Sequence, residues 1–289
     1  MPAREREAPT PNRPERQFEE FDARCLRVHS ASMINGVLLD LAGVIYDGEK
    51  VIPGATDAVA RLREAGLPIR FVSNTTRSNK QAVLDRLDGF GLSVTSGELF
   101  TPAQAAREWL GQHNRTPCLL VHPDLVADFH DLAGGQGKAL VVGDAGEAFD
   151  YQTLNRAFRE LIEGAEFLAL ASNRTFQDTD GKRSLDAGAF VTALEFASQK
   201  AAIVLGKPSP QFFLSALTSM NCSKMEAVMV GDDAETDIAG ALGAGLSQAL
   251  LVRTGKYRHG DENLFKPAPT ATMDDISAAV DWIIATRTI

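Results

Sequence analysis

Apolar residues come along this chain in short, almost unbroken runs, and polar residues collect where the runs stop. Val37-Leu38-Leu39, Ile69-Arg70-Phe71-Val72, Cys118 to Val121, Ala139 to Val142, Phe167 to Ala171, Ala227 to Val230 and Ala249 to Val252 all have this character. Such runs fit strands covered on both faces, as in a parallel sheet. Between them the spacing turns helical. Ala55 to Ala65 places Val59 and Leu62 inward, with Gly66 as its stop. Ser78 to Phe90, Ala103 to Gln112, Tyr151 to Ile162, Gly188 to Ser198, Ile238 to Gly245 and Met273 to Ala285 follow the same rule. Tyr46 to Val51 reads as a polar, hairpin-like excursion. Strand alternating with helix predicts an α/β protein.

The alternation interrupts itself near Thr101-Pro102. Residues 103–201 carry their own helices and strands, which predicts a second α/β unit of about a hundred residues inserted between two halves of a core, 33–102 and 202–289. In that reading the core resumes with the short strand Ala202 to Leu205. Asn173 to Ser184 is rich in Asp, Thr and Gly and reads as a loop. In residues 1–32, Pro2, Pro9, Pro11 and Pro14 alternate with Arg and Glu, so a mostly disordered tail is expected there. No apolar stretch follows the N-terminus as in a secretory signal, and no run of about eighteen apolar residues occurs to span a membrane.

Composition narrows the functional classes. The chain has 289 residues, 44% hydrophobic and 23% charged, with a formal net charge of -9. That charge argues against nucleic acid or an anionic membrane as a general partner. Any phosphate site must therefore be built locally, by a cation or a lysine. Cys25, Cys118 and Cys222 are scattered and odd in number, which fits free thiols in a reducing compartment rather than a disulfide framework or a metal cluster.

Chemistry gathers at the ends of the apolar runs, where open parallel sheets place their ligands. Asp40 follows Val37-Leu38-Leu39; a lone Asp near a Gly ordinarily just starts a turn. Ser73-Asn74-Thr75-Thr76 ends the second run, and its hydroxyls could bind a phosphoryl oxygen or merely cap the next helix. Lys207, in Gly206-Lys207-Pro208, could neutralise a phosphoryl group, although a lysine before proline is more often a solvated loop residue. Gly231-Asp232-Asp233-Ala234-Glu235-Thr236-Asp237 could hold Mg²⁺ through few carboxylates, or simply favour a helix macrodipole. Asp233 and Asp237, four apart, would share a helical face and could orient Lys207 or metal-bound waters.

Asp40-Leu41-Ala42-Gly43-Val44 resembles the first motif of the haloacid dehalogenase superfamily, Asp-x-Asp-Gly-Thr/Val. Ser73, Gly206-Lys207-Pro208 and Gly231-Asp232-Asp233 fall on its second, third and fourth motifs. The resemblance implies a doubly wound, mostly parallel Rossmann-like core with an inserted α/β cap of the C2 type. It further implies a cytoplasmic, Mg²⁺-dependent phosphatase that forms an aspartyl-phosphate on Asp40 and is often dimeric through the cap. In that family Asp40, the backbone carbonyl of Ala42 and Asp232 would hold the metal, with Asp233 and Asp237 behind them. Ser73, Asn74, Thr75 and Lys207 would hold the phosphoryl group of a small phosphorylated compound, a pyrophosphate or a phosphoramidate. The cap loops Gly143 to Glu147 and Asn173 to Asp180 would choose among substrates.

One residue departs from the pattern. Ala42 stands where the motif has its second Asp, the residue that protonates the leaving group and later activates water. Two readings follow: a phosphatase restricted to good leaving groups, or a catalytically weak phosphate-binding or regulatory protein. A dehalogenase would leave the Asp232 metal set superfluous.

Overall fold

A computed structural model describes residues 33–177 and 182–287; the expected tail over 1–32 and part of the expected 173–180 loop lie outside them. The first half of the core runs β1 (Gly36–Asp40), a hairpin of β2 (Tyr46–Asp47) and β3 (Lys50–Val51), α1 (Ala55–Glu64), β4 (Ile69–Val72), α2 (Lys80–Gly89) and β5 (Leu99–Phe100). Next come α3 (Pro102–Gln112), β6 (Arg115–Leu120), β7 (Gly137–Val142), α4 (Tyr151–Ile162), β8 (Glu166–Ala169), β9 (Thr175–Gln177), β10 (Arg183–Leu185), α5 (Ala187–Ser198) and β11 (Ile203–Val204). The chain then returns through α6 (Pro210–Ser219), β12 (Ala227–Gly231), α7 (Gly240–Gly243), β13 (Gln248–Val252), α8 (Asp261–Leu264), β14 (Ala271–Met273) and α9 (Ile276–Arg287).

These elements form two parallel sheets. The first has the order β14-β13-β12-β1-β4-β5, the second β11-β8-β7-β6. The first is doubly wound, both are covered by helices on each face, and the unbroken apolar runs explain why. In β1, Val37 and Leu39 pack with Val59, Leu62, Val280 and Ile283 of α1 and α9. Leu38, between them, packs on the other face with Phe213 of α6 and Ile238. In the second sheet Val141 joins a cluster with Ala106 and Leu110 of α3, while Leu140 and Val142 join one with Leu161 of α4 and Val191 of α5. Alternate residues of one strand thus meet helices on opposite sides. Among the described residues no helix is long and apolar enough to cross a membrane.

The structure corrects several expected elements. Ile203-Val204 pairs with β8, so this strand belongs to the second sheet rather than the core. The hydrogen bond from the Leu205 amide to the Ala169 carbonyl (2.9 Å) extends that pairing. Two residues are too few for periodicity to show which sheet they join. The expected loop at 173–184 contains the antiparallel pair β9–β10. Met273 ends a short edge strand, and α9 starts three residues later. The helix expected from Ile238 begins instead as a π-helical turn over Ala234–Ala239 and is α-helical only through α7.

Candidate active site

Three adjacent strands of the core sheet deliver the site. Asp40 is the last residue of β1, Ser73 follows β4, and Asp232 follows β12; all three are buried. Lys207 comes in from the crossing between β11 and α6. Its Nζ lies 2.6 Å from Asp40 Oδ1 and 2.6 Å from Asp237 Oδ1, and it donates to the Val72 carbonyl at 3.3 Å. Lys207 is only 2% exposed, so the cation is held by carboxylates and not by water. Burial lowers its proton affinity, and the charges of Asp237 and Asp40 more than reverse that, leaving it raised.

The carboxylates outnumber this lysine. Oxygens of Asp40, Asp232 and Asp237 all lie within 4.8 Å of one another. Burial, with the charges of Asp40 and Asp237 added, pushes the Asp232 carboxyl well above the usual carboxylate range. Burial pushes Asp237 up to about 7, against the pull of Lys207. Crowded, buried carboxylates that hold their protons too tightly are a fit for a hard divalent cation with oxygen ligands. Asp237 Oδ1 faces Lys207 and its Oδ2 accepts from the Asp233 amide at 3.3 Å, which leaves Asp40 and Asp232 with oxygens to offer a metal.

The remaining expected residues divide. Asp233 does not share a face with Asp237 toward Lys207. It caps the π-helical turn, accepting from the amides of Glu235 (3.0 Å) and Thr236 (2.9 Å), and its other oxygen is 3.5 Å from Lys256 Nζ. Ser73 donates its amide to Phe100, and its Oγ accepts from the Thr75 amide at 3.2 Å. Its hydroxyl proton is thereby turned to other acceptors. Thr75 contributes that amide, and Asn74 turns its side chain to the backbone of Lys207. Ala42 is exposed, beside Gly43, at the turn that leads into the β2–β3 hairpin.

A lid of main chain closes over Asp232, and sequence reasoning passed over it. The Lys256 amide donates to Asp232 Oδ2 at 2.7 Å. Gly43 and Gly255 both have positive φ, and a Cβ on either would overlap that same oxygen. Thr254 Oγ1 donates to the Gly43 carbonyl and joins the two turns. The available signal was position: Arg253 to Lys256 follows β13, at the same sheet edge as Asp40. Outside the lid, a cleft of about 730 Å³ opens between the two sheets, lined by Asn173, Arg174, Phe176, Asp233, Lys256 and Arg258 among others.

Comparisons with known proteins give the family. A haloacid dehalogenase-like hydrolase family model matches residues 37–154, and a HAD-hydrolase-like model matches 204–279. Haloacid dehalogenase-like hydrolase domain-containing protein 2 from Bos taurus is 41% identical over 251 residues, spanning 87% of this chain and 96% of that protein. The chain belongs to the haloacid dehalogenase-like hydrolases. Phospholysine phosphohistidine inorganic pyrophosphate phosphatase from Danio rerio is 41% identical over 260 residues, 88% of this chain and 96% of that protein. The p-nitrophenyl phosphatase from Archaeoglobus fulgidus superposes with a TM-score of 0.78 at 25% identity, covering 86% of this chain and 99% of that one. A glycerol phosphate phosphatase from Mycobacterium tuberculosis, in complex with magnesium, gives 0.75 at 25% identity over 86% of this chain and 77% of its own.

The family membership accounts for the second sheet too. As the strand pairing shows, it is a separate parallel layer inserted into the haloacid dehalogenase-like core, as a C2-type cap would be. Arg77 links the two. Its Nε donates to Asp144 Oδ2 of the loop after β7 at 2.6 Å, and its guanidinium lies 4.4 Å from the Phe176 ring centroid in β9.

Proposed function

We propose that this hydrolase is a cytoplasmic, Mg²⁺-dependent phosphatase that works through an aspartyl-phosphate on Asp40. The observation that carries the reading is Lys207 lodged 2.6 Å from Asp40 at a sheet edge that also presents Ser73 and Asp232. Similarity to proteins named as pyrophosphate, p-nitrophenyl and glycerol phosphate phosphatases supports it. The free thiols of Cys118 and Cys222 fit a reducing compartment. Asp40, Asp232 and the Ala42 carbonyl would hold Mg²⁺, which supplies charge stabilisation to the phosphoryl oxygens when bound.

Asp40 attacks phosphorus; the new Asp–O–P bond forms as the bond to the leaving group breaks. Lys207 and the Ser73 hydroxyl take the developing negative charge on the phosphoryl oxygens. Water then attacks phosphorus as the Asp–O–P bond breaks, releasing inorganic phosphate, which keeps the water's protons, and returning the carboxylate. Nothing at position 42 can protonate the departing atom, a contribution of roughly 10²–10⁴-fold where a general acid is present. Substrates whose leaving group needs no such proton follow from that: aryl and acyl phosphates, phosphoramidates and pyrophosphate. A second copy is proposed to dock on the cap, where Tyr151, Ile162 and Phe196 stay exposed on α4 and α5.

Ala42 also favours the second reading, a phosphate-binding protein with feeble turnover. Rates over a series of phosphate esters of graded leaving-group pKa decide between the two. The phosphatase gives a steep dependence that flattens in Ala42→Asp. Equal rates on alkyl and aryl esters refute the leaving-group argument, and no turnover on any ester or anhydride favours the binding protein.

A further inference from the structure

The Asn74 side chain lies against the main chain of Lys207 and bonds to it twice. Asn74 Nδ2 donates to the Lys207 carbonyl at 2.8 Å, and the Lys207 amide donates to Asn74 Oδ1 at 2.8 Å. Two bonds to one residue's backbone fix its position and its twist together. The approach is close enough to constrain the preceding residue: a Cβ on Gly206 would stand 2.6 Å from Asn74 Oδ1.

The place of this clamp gives it meaning. Leu205, two residues earlier, still hydrogen-bonds the second sheet through Ala169. Pro210, three residues later, already begins α6 of the core. Lys207 thus stands on the crossing between the sheets, where its backbone would otherwise follow either one. A lysine side chain is long and flexible, so where Nζ rests depends on where its Cα is held. Asn74 comes from the same segment as Ser73, so one short stretch after β4 presents a phosphoryl-binding hydroxyl and sets the lysine beside it.

We infer that Asn74 is a positioning residue acting through Lys207, and that its side chain takes no part in holding substrate. It keeps Nζ between Asp40 and Asp237 whatever the second sheet does. The inference rests on the phosphatase reading, and its test separates the two.

Turnover of p-nitrophenyl phosphate is measured for the full chain, Asn74→Ala, Asn74→Asp, Lys207→Ala and the double variant. A misplaced lysine is expected to lower kcat by about 10²-fold in Asn74→Ala, with KM within about twofold because the loss falls on the transition state. Asn74→Asp keeps the acceptor for the Lys207 amide and loses the donor, so it should fall between. On the Lys207→Ala background, Asn74→Ala should cost nothing more, since both act through one group. A rise in KM with kcat preserved, or a full further loss on the Lys207→Ala background, would show Asn74 touching substrate and overturn the inference. Wild-type kcat in Asn74→Ala overturns it too. Absence of wild-type turnover would refute the phosphatase reading instead; the same cycle run on calorimetric affinity for beryllofluoride with Mg²⁺ then decides Asn74.

Discussion

The two sheets are built to one plan and end differently. Both are parallel, both are covered by helices on each face, and the loops from their carboxyl edges meet around Arg77 and Asp144. At the core edge the strands deliver Asp40, Ser73 and Asp232, and their charge is not balanced within the protein. At the edge of the second sheet, β6 and β8 run on into apolar Val121 and Leu170, and the buried carboxylate after β7 is Asp144. Asp144 has Oδ2 on Arg77 and Oδ1 on the Gly146 amide at 3.0 Å, and its buried neighbour Asp186, pushed up by burial and by Asp144, caps α5 by accepting from the Ala187 amide at 2.6 Å. Same architecture, opposite electrostatics: a carboxylate whose partners are complete fixes geometry, while a crowded set with too few partners is ready to take up a cation or a phosphoryl group.

The largest effect should come from the unbalanced edge. Asp40→Asn removes the attacking oxygen and keeps the shape, so turnover should vanish while the fold survives. The assay is steady-state hydrolysis of p-nitrophenyl phosphate with Mg²⁺, alongside thermal unfolding. Substantial activity in Asp40→Asn, or wild-type activity undiminished in excess EDTA, would sink the mechanism.

Stability should also report the imbalance. Asp237 is pushed up to about 7, against an ordinary value of about 3.9. Between those values the folded protein binds the proton that the unfolded chain has released. Stability from this group therefore falls as pH rises through that window and is flat above it. Asp232, also raised, acts in the same direction. Mg²⁺ competes with those protons, so its stabilisation should be small at about pH 5 and clear at about pH 8. Melting temperatures with Mg²⁺ and with EDTA at both values measure this. Equal shifts at both, or a shift that persists in Asp232→Asn, would mean the cation sits elsewhere.

The contrast also explains what could be read in the sequence. Asp40, Ser73, Lys207 and Asp232 were legible because each ends or follows an apolar run and the four occur in motif order. Long-range partners were not. Nothing local says that Asn74 reaches Lys207 across 133 residues, or that the Lys256 amide covers Asp232. Short elements were lost for a related reason. The edge strands β5 and β14 and both arms of the β9–β10 hairpin have two or three residues each, too few for a period to show. Asp233 was misplaced because a spacing of four assumes an α-helix, and here the turn is π-helical with Asp233 as its cap.

The smallest predicted effect tests the balanced edge. Arg77 follows the Ser73–Thr76 segment and binds two segments of the inserted unit at once, Asp144 of the loop after β7 by an ion pair and Phe176 of β9 through its ring. Thr76 adds a contact, its Oγ1 accepting from the Asp144 amide at 3.3 Å. The Arg77 side chain is 44% exposed while that of Asp144 is 7% exposed, so water screens the cation side of the pair and hardly the anion. Arg77→Ala leaves Asp144 with its Gly146 bond and no counter-charge. The expected loss is about 1 kcal/mol in holding these two segments against the core, a factor of about five. It should appear as a higher KM for p-nitrophenyl phosphate with kcat nearly unchanged, because Asp40, Ser73 and Lys207 are untouched. Arg77→Lys should recover part of it, keeping the charge but not the flat face over Phe176. Raised salt should weaken wild type toward Arg77→Ala, since a half-exposed pair is screened. A collapse of kcat in Arg77→Ala would show instead that the second sheet's edge takes part in the chemistry, and the division of labour between the sheets would fail.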